Sequence, residues 1–145
     1  MFTGTSISDD SSPEERARSV EARARMIERG GYGFGDRATA LLGSSASADT
    51  LALVQQTLRA TNPTGFMQAV RFIAEAEMPP LATGLTMALL MVQGEEDRVT
   101  PAATNAELLA AALPHARLVM LAGCGHLPEV ELSSSVNDLI VAHLS

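Results

Sequence analysis

Lysine and tryptophan are both missing from this sequence, and cysteine and tyrosine occur once each. Arginine therefore supplies every fixed positive charge, and 10 arginines against 17 acids leave a formal charge of −7. A sequence-independent nucleic-acid binder needs a basic stripe to neutralise phosphates, so that class is excluded and no nucleic-acid partner is expected. Arg16, Arg18, Arg23, Arg25 and Arg29 do cluster, but Glu14, Glu15, Glu21 and Glu28 are interleaved with them, which reads as a solvated helix face. The lone Cys124 can form no disulfide within the chain, as expected for a reducing compartment. Three histidines without ligand spacing point to no metal, and no organic cofactor is implied. Long apolar runs are scarce too: "LTMALLMV" (85 to 92) falls far short of the roughly 20 residues that a membrane helix needs. The opening "MFTGTSISDDSSPEE" has neither a basic n-region nor an apolar h-region, so no secretory signal is expected and the protein reads as cytoplasmic.

What remains is an ordinary globular composition, 46% hydrophobic and 19% charged over 145 residues. That length suits one domain, which would bury about 70% of the surface its unfolded chain exposes. Punctuation by turn formers divides it. Ser12-Pro13-Glu14-Glu15 is a capping box with proline at the first helical position, opening a helix to Arg29 that Gly30-Gly31 stops. Further helices are expected over 36 to 42, over 47 to 61 with Leu51, Val54 and Leu58 in register, and after Asn62-Pro63 with Phe66, Ala69, Val70 and Ile73 on one face.

The character changes after "MPPLATG" (78 to 84). "TMALLMVQG" is a continuous apolar run bounded by turn formers, the pattern of a strand buried on both faces. Thr100-Pro101 should cap a helix through Leu113, "ARLVMLAG" (116 to 123) should form a second strand, and Ser133 to Ser135 should cap a last helix ending near Leu144. Strand, helix, strand, helix is the order from which parallel α/β sheets are built.

In such sheets the reactive groups sit in loops leaving the carboxyl ends of the strands. Asp97 follows the first strand closely and His126 follows the second. Both should project from one sheet edge, where Asp97 can accept a hydrogen bond from one ring nitrogen of His126, fix its tautomer and stabilise the imidazolium that forms during acid–base work. Glu95 and Glu96 are the alternatives for the acid. A turn aspartate and a satisfied loop histidine are the bland alternatives for the pair. Gly123 and Gly125 let the loop turn tightly and should keep His126 exposed. His115 and His143 read as structural or surface residues, Cys124 as a small buried filler, and Asp9 and Asp10 as part of the first helix's cap. Phe66, Met67, Val70 and Phe72 could line an apolar pocket or simply pack between helices.

Taken together, "LLMVQGEEDRVTP", "ELLAAALPHARLVMLAGCGHLPEVE" and "VNDLIVAHL" resemble the carboxyl-terminal end of the α/β-hydrolase fold. The likeness is greatest to its small esterase, enol-lactone hydrolase and non-haem haloperoxidase-like members. The resemblance implies Asp97 as triad acid and His126 as triad base. It also implies a division into residues 1–11 as the tail of a core strand, 12–79 as a helical cap, and 80–145 as the carboxyl-terminal α/β segment. Serine at 133, where the family often has proline, can still cap a helix.

The family's serine sits on a G-x-S-x-G elbow, and no such elbow occurs here. "GTSIS" (4 to 8) lacks the second glycine. The resemblance thus implies a truncated hydrolase that retains acid and base, acts on a small acyl ester or lactone when complete, and is inactive by itself. The contrasting expectation is a non-catalytic residual or partner-binding module. A shortened sheet exposes an edge, through which the chain would self-associate or be completed by another chain.

Overall fold

The computed structural model describes residues 13–28, 34–75 and 84–145. The expected strand tail at 1–11, the Ser12 cap, Asp9 and Asp10, the Gly30-Gly31 stop and most of the 78–84 linker lie outside the described residues. Four helices come first: α1 (Pro13–Glu28), α2 (Phe34–Leu41), α3 (Ala48–Arg59) and α4 (Pro63–Glu75). Then follow β1 (Leu89–Gly94), a 3₁₀ turn (Ala102–Thr104), α5 (Ala106–Ala112), β2 (Ala116–Leu121), α6 (Pro128–Glu131) and α7 (Ser133–Leu144). The sequence's alternation of strand and helix in the second half is thus realised.

Local chemistry explains the helix starts. Ser47 caps α3, its side chain accepting the N–H of Thr50 at 3.0 Å, with Asp49 in the first turn and Arg59 in the last to complement the helix dipole. Asn62 does the same for α4, accepting the Gly65 N–H at 3.0 Å ahead of Pro63. On α1, Glu21 and Arg25 pair at 2.9 Å across one turn with both side chains largely exposed, contributing about 0.3–0.5 kcal/mol, and Glu14, Arg18 and Glu28 are exposed with them.

β1 and β2 pair in parallel, from Leu89 beside Ala116 to Gly94 beside Leu121. Parallel neighbours need a crossover, which the 3₁₀ turn and α5 supply. Both strands end at the same edge as a result. Around the loops beyond that edge, Ala38, Leu42 and Val54 form a buried cluster of α2 and α3, and Leu127 and Val130 pack against it. Burying a side chain the size of Leu42 or Val54 contributes about 1.5–3 kcal/mol. The α2–α3 hairpin is therefore seated on the segment that follows His126. α4 packs chiefly on α1.

Four expectations need correction. β1 begins at Leu89 rather than Thr86, and only Gly94 in it is buried, the rest being half-buried. Its one paired strand among the described residues is β2, and its half-burial falls short of the full enclosure expected of the apolar run. The helix after Thr100-Pro101 is broken: the chain makes a 3₁₀ turn, and Asn105 at φ −137° and ψ −83° interrupts it before α5. The buried Asn105 amide donates to Pro101 O at 3.1 Å and Thr104 Oγ1 at 3.0 Å, which holds the break. At the end of the chain, Ser133 to Ser135 form the first turn of α7 rather than its cap. Leu132 stands at the cap position, and no side chain bonds there. The short α6 just before it was not foreseen.

Candidate functional site

Backbone bonds stitch together the two loops beyond the sheet edge. Glu95 N–H donates to Leu121 O at 3.0 Å and Glu96 N–H to Cys124 O at 2.8 Å, so the loop after β1 continues beside the loop after β2. A third segment, the turn between α2 and α3, closes over them: His126 N–H donates to Leu41 O at 2.7 Å and Ser45 N–H to Gly123 O at 2.8 Å. Gly123 has φ +69°, a left-handed conformation that favours glycine. At Gly125, a Cβ would lie 2.6 Å from Leu41 O and Gly43 N, so the close passage of the two backbones requires its absence.

Asp97 lies in this layer with its side chain only 4% exposed. Its Oδ1 accepts the N–H groups of Val99 at 2.8 Å and Thr100 at 2.9 Å, the local turn that aspartate favours. Its Oδ2 accepts the Thr100 hydroxyl at 2.8 Å, the Gln93 amide at 3.0 Å and His126 Nδ1 at 2.9 Å. Burial raises the pKa of this carboxyl, but the bonds from His126, Thr100 and Gln93 outweigh it and hold the group below its ordinary 3.8. A carboxylate can only accept. His126 Nδ1 is therefore the donor, and a neutral ring carries its lone pair at Nε2. The Thr100 hydroxyl, having given its hydrogen to Asp97, stands 3.3 Å from Nδ1 as a second acceptor.

Such a pair can take a proton at Nε2 while the buried carboxylate steadies the positive ring. The structure brings Asp97 and His126 into bonding contact, and it assigns the two alternative acids elsewhere. Glu95 is exposed. Glu96 accepts the Ser44 hydroxyl at 2.6 Å and the Ser44 N–H at 2.8 Å, bonds that lower its pKa. His126 itself departs from expectation, since its side chain is 13% exposed, and its backbone is bonded to Leu41 O at the end of α2. His115 is exposed and His143 half-buried on α7. Cys124 is fully buried, and burial together with the nearby Glu131 charge pushes its thiol up to about 12, which rules it out as a nucleophile at neutral pH. Phe66, Met67 and Val70 are half-buried on α4, while Phe72 is 72% exposed.

Three contributors escaped the sequence reading. Thr100 looks like a helix cap in sequence but serves Asp97, Gln93 looks like the polar end of a strand, and Glu131 looks like a surface acid. Its carboxylate instead accepts backbone N–H groups from both sides of His126. Only the spacing of an acid five residues past the histidine marks it, and that spacing is not diagnostic. Among the described residues no group of three His, Cys, Asp or Glu side chains could hold a metal ion, and no helix is long and apolar enough to cross a membrane.

The family model for TAP-like proteins, an α/β-hydrolase family, matches residues 69–145. No curated protein matches the chain. Among solved structures, it is similar to a thermophilic esterase from Thermogutta terrifontis (TM-score 0.79, 24% identity, 92% of this chain and 51% of that one). It is also similar to the enol-lactonase from Burkholderia xenovorans LB400 (TM-score 0.73, 24% identity, 92% and 51%). A bromoperoxidase from Bacillus anthracis matches at TM-score 0.69 and 13% identity over 93% of this chain and 49% of that one. At these identities the likeness concerns the fold. The chain spans about half the length of the structures it matches.

Proposed function

Because the chain belongs to the TAP-like family of α/β hydrolases, we propose that it supplies the acid and base of a serine hydrolase acting on small acyl esters or lactones. One observation supports this more than any other: Asp97 Oδ2 and His126 Nδ1 lie 2.9 Å apart in loops from the same edge of a parallel sheet. In the proposed cycle a serine hydroxyl gives its proton to His126 Nε2 as its oxygen attacks the substrate carbonyl. The imidazolium, steadied by Asp97, returns that proton to the departing alkoxide. Water then repeats the sequence on the acyl-serine, releasing the acid and restoring the serine.

These 145 residues hold no G-x-S-x-G elbow, so the proposal assigns the serine and the oxyanion donors to a part of the fold outside them. Residues 12–79 act in this reading as a helical cap and residues 80–145 as the core segment, with the α2–α3 turn joining the two at the histidine loop. Assays of p-nitrophenyl esters test it on two forms, the chain by itself and a longer form bearing a serine elbow ahead of residue 1. The chain by itself should remain at background. The longer form should turn over short acyl esters and lose on the order of 10⁴-fold or more on His126→Ala. Full activity in that variant would refute the assignment.

A second reading, a binding module completed by another chain, draws on the two-stranded sheet and on Ile140, Val141 and Leu144, which are exposed on α7. Isolated two-stranded sheets are marginal in water, and apolar surface of this kind favours association. A monodisperse, folded monomer in size-exclusion chromatography would contradict it.

A further inference from the structure

The Glu131 carboxylate sits against the histidine loop, where it accepts three backbone N–H groups and lies beside the Cys124 thiol. Its Oε2 accepts the N–H of Gly43 at 2.7 Å, its Oε1 accepts that of Leu127 at 3.2 Å, and the N–H of Gly125 falls between both oxygens at 3.0 and 3.1 Å. Gly125 and Leu127 are the two neighbours of His126. The N–H of His126 itself has another acceptor, Leu41 O. The peptide units on both sides of the histidine are therefore tied to one carboxylate, and the α2–α3 turn that covers the loop is tied to it as well.

Glu131 is held in turn. It ends α6, where its own N–H donates to Leu127 O at 2.9 Å, buried Pro128 begins the helix and neighbouring Val130 packs on the Ala38, Leu42 and Val54 cluster. Bonds from N–H groups to an ionised carboxylate are about twice as strong as neutral ones, so the set is stiff. Stiffness matters here because a hydrogen bond of 2.9 Å is lost if the ring shifts by about 1 Å.

We propose that Glu131 is the positioning residue of His126: it touches neither the ring nor any reacting atom, and it fixes the flanking peptides so that Nδ1 meets Asp97. The inference rests on the reading of Asp97 and His126 as acid and base, and it adds Glu131 to the side chains that the pairing requires. Glutamine at 131 would keep one acceptor oxygen but turn an NH2 group toward N–H donors. Aspartate would keep the charge and fall short by one methylene.

Amide hydrogen exchange and ¹⁵N-histidine NMR on the full chain and on Glu131→Gln, Glu131→Asp and Asp97→Asn test this. In Glu131→Gln the amides of Gly125 and Leu127 should exchange at least about tenfold faster, and the His126 ring should change from one Nδ1–H tautomer to a mixture. Glu131→Asp should fall between, and it carries the comparison if the glutamine variant fails to fold. Faster exchange with an unchanged ring tautomer would overturn the inference while leaving the acid–base reading intact. A ring already mixed in the unsubstituted chain, and unmoved by Asp97→Asn, would mean instead that the acid–base reading fails and takes the positioning role with it.

Discussion

Asp97→Asn replaces a carboxylate with an amide in a pocket built wholly of donors, and the geometry sets what that costs. The asparagine carbonyl can keep the N–H groups of Val99 and Thr100. At the Oδ2 position its NH2 group would confront three donors: the Thr100 hydroxyl, the Gln93 amide and His126 Nδ1. The hydroxyl can turn to accept, and the imidazole can move its proton to Nε2. Gln93 can do neither, although Gly94 O at 3.3 Å and Thr100 O at 3.2 Å still receive it. Bonds to a charged group contribute about 1.5–3 kcal/mol each, and partial rescue leaves an expected loss of about 2–3 kcal/mol near neutral pH.

The same substitution has a pH signature. The folded pKa of Asp97 lies below its ordinary 3.8, so as pH falls the unfolded chain takes up the proton first. The stability this carboxylate contributes is complete above the unfolded value and drains away as pH falls through the folded one. Asparagine has no such titration. Urea unfolding followed by circular dichroism, from about pH 7 to about pH 2.5, should show the two proteins well apart at neutral pH and converging in acid. Equal stabilities at neutral pH, or a gap that persists unchanged in acid, would refute the reasoning.

Thr100→Val removes the hydroxyl that bonds Asp97 Oδ2 at 2.8 Å, and denaturant unfolding should register a loss of about 1.5–3 kcal/mol. Gly125→Ala would force a methyl against Leu41 O and Gly43 N, so a lower melting temperature is expected, equivalent to at least about 1–3 kcal/mol. Cys124, with its thiol pushed up to about 12 by burial and by Glu131, should resist thiol reagents in the native protein and react fully once unfolded.

The pairing of Asp97 with His126 was legible in sequence because it depends on topology: two apolar runs joined by a helix put both following loops at one edge. The residues that complete it depend on loop conformation, which periodicity does not encode. Thr100 before Pro101 carries the signature of a helix cap, yet the turn at Asp97 captures its hydroxyl, and Asn105 then divides the expected helix. Glu131 required knowing that α6 folds back under the histidine loop. The exposure expected for His126 failed for a related reason, since its loop is bonded to the α2–α3 turn, a contact between segments far apart in sequence. The cap at Ser47 and the start at Asn62-Pro63 were readable because those signals act within one turn of helix.

The ring nitrogens of His126 offer the most direct check on an imidazole poised to accept a proton. ¹⁵N NMR of the full chain, at a pH where the ring is neutral, should show hydrogen on Nδ1, bonded to Asp97, and a lone pair on Nε2. A ring protonated at Nε2, or one exchanging freely between the two forms, would contradict it.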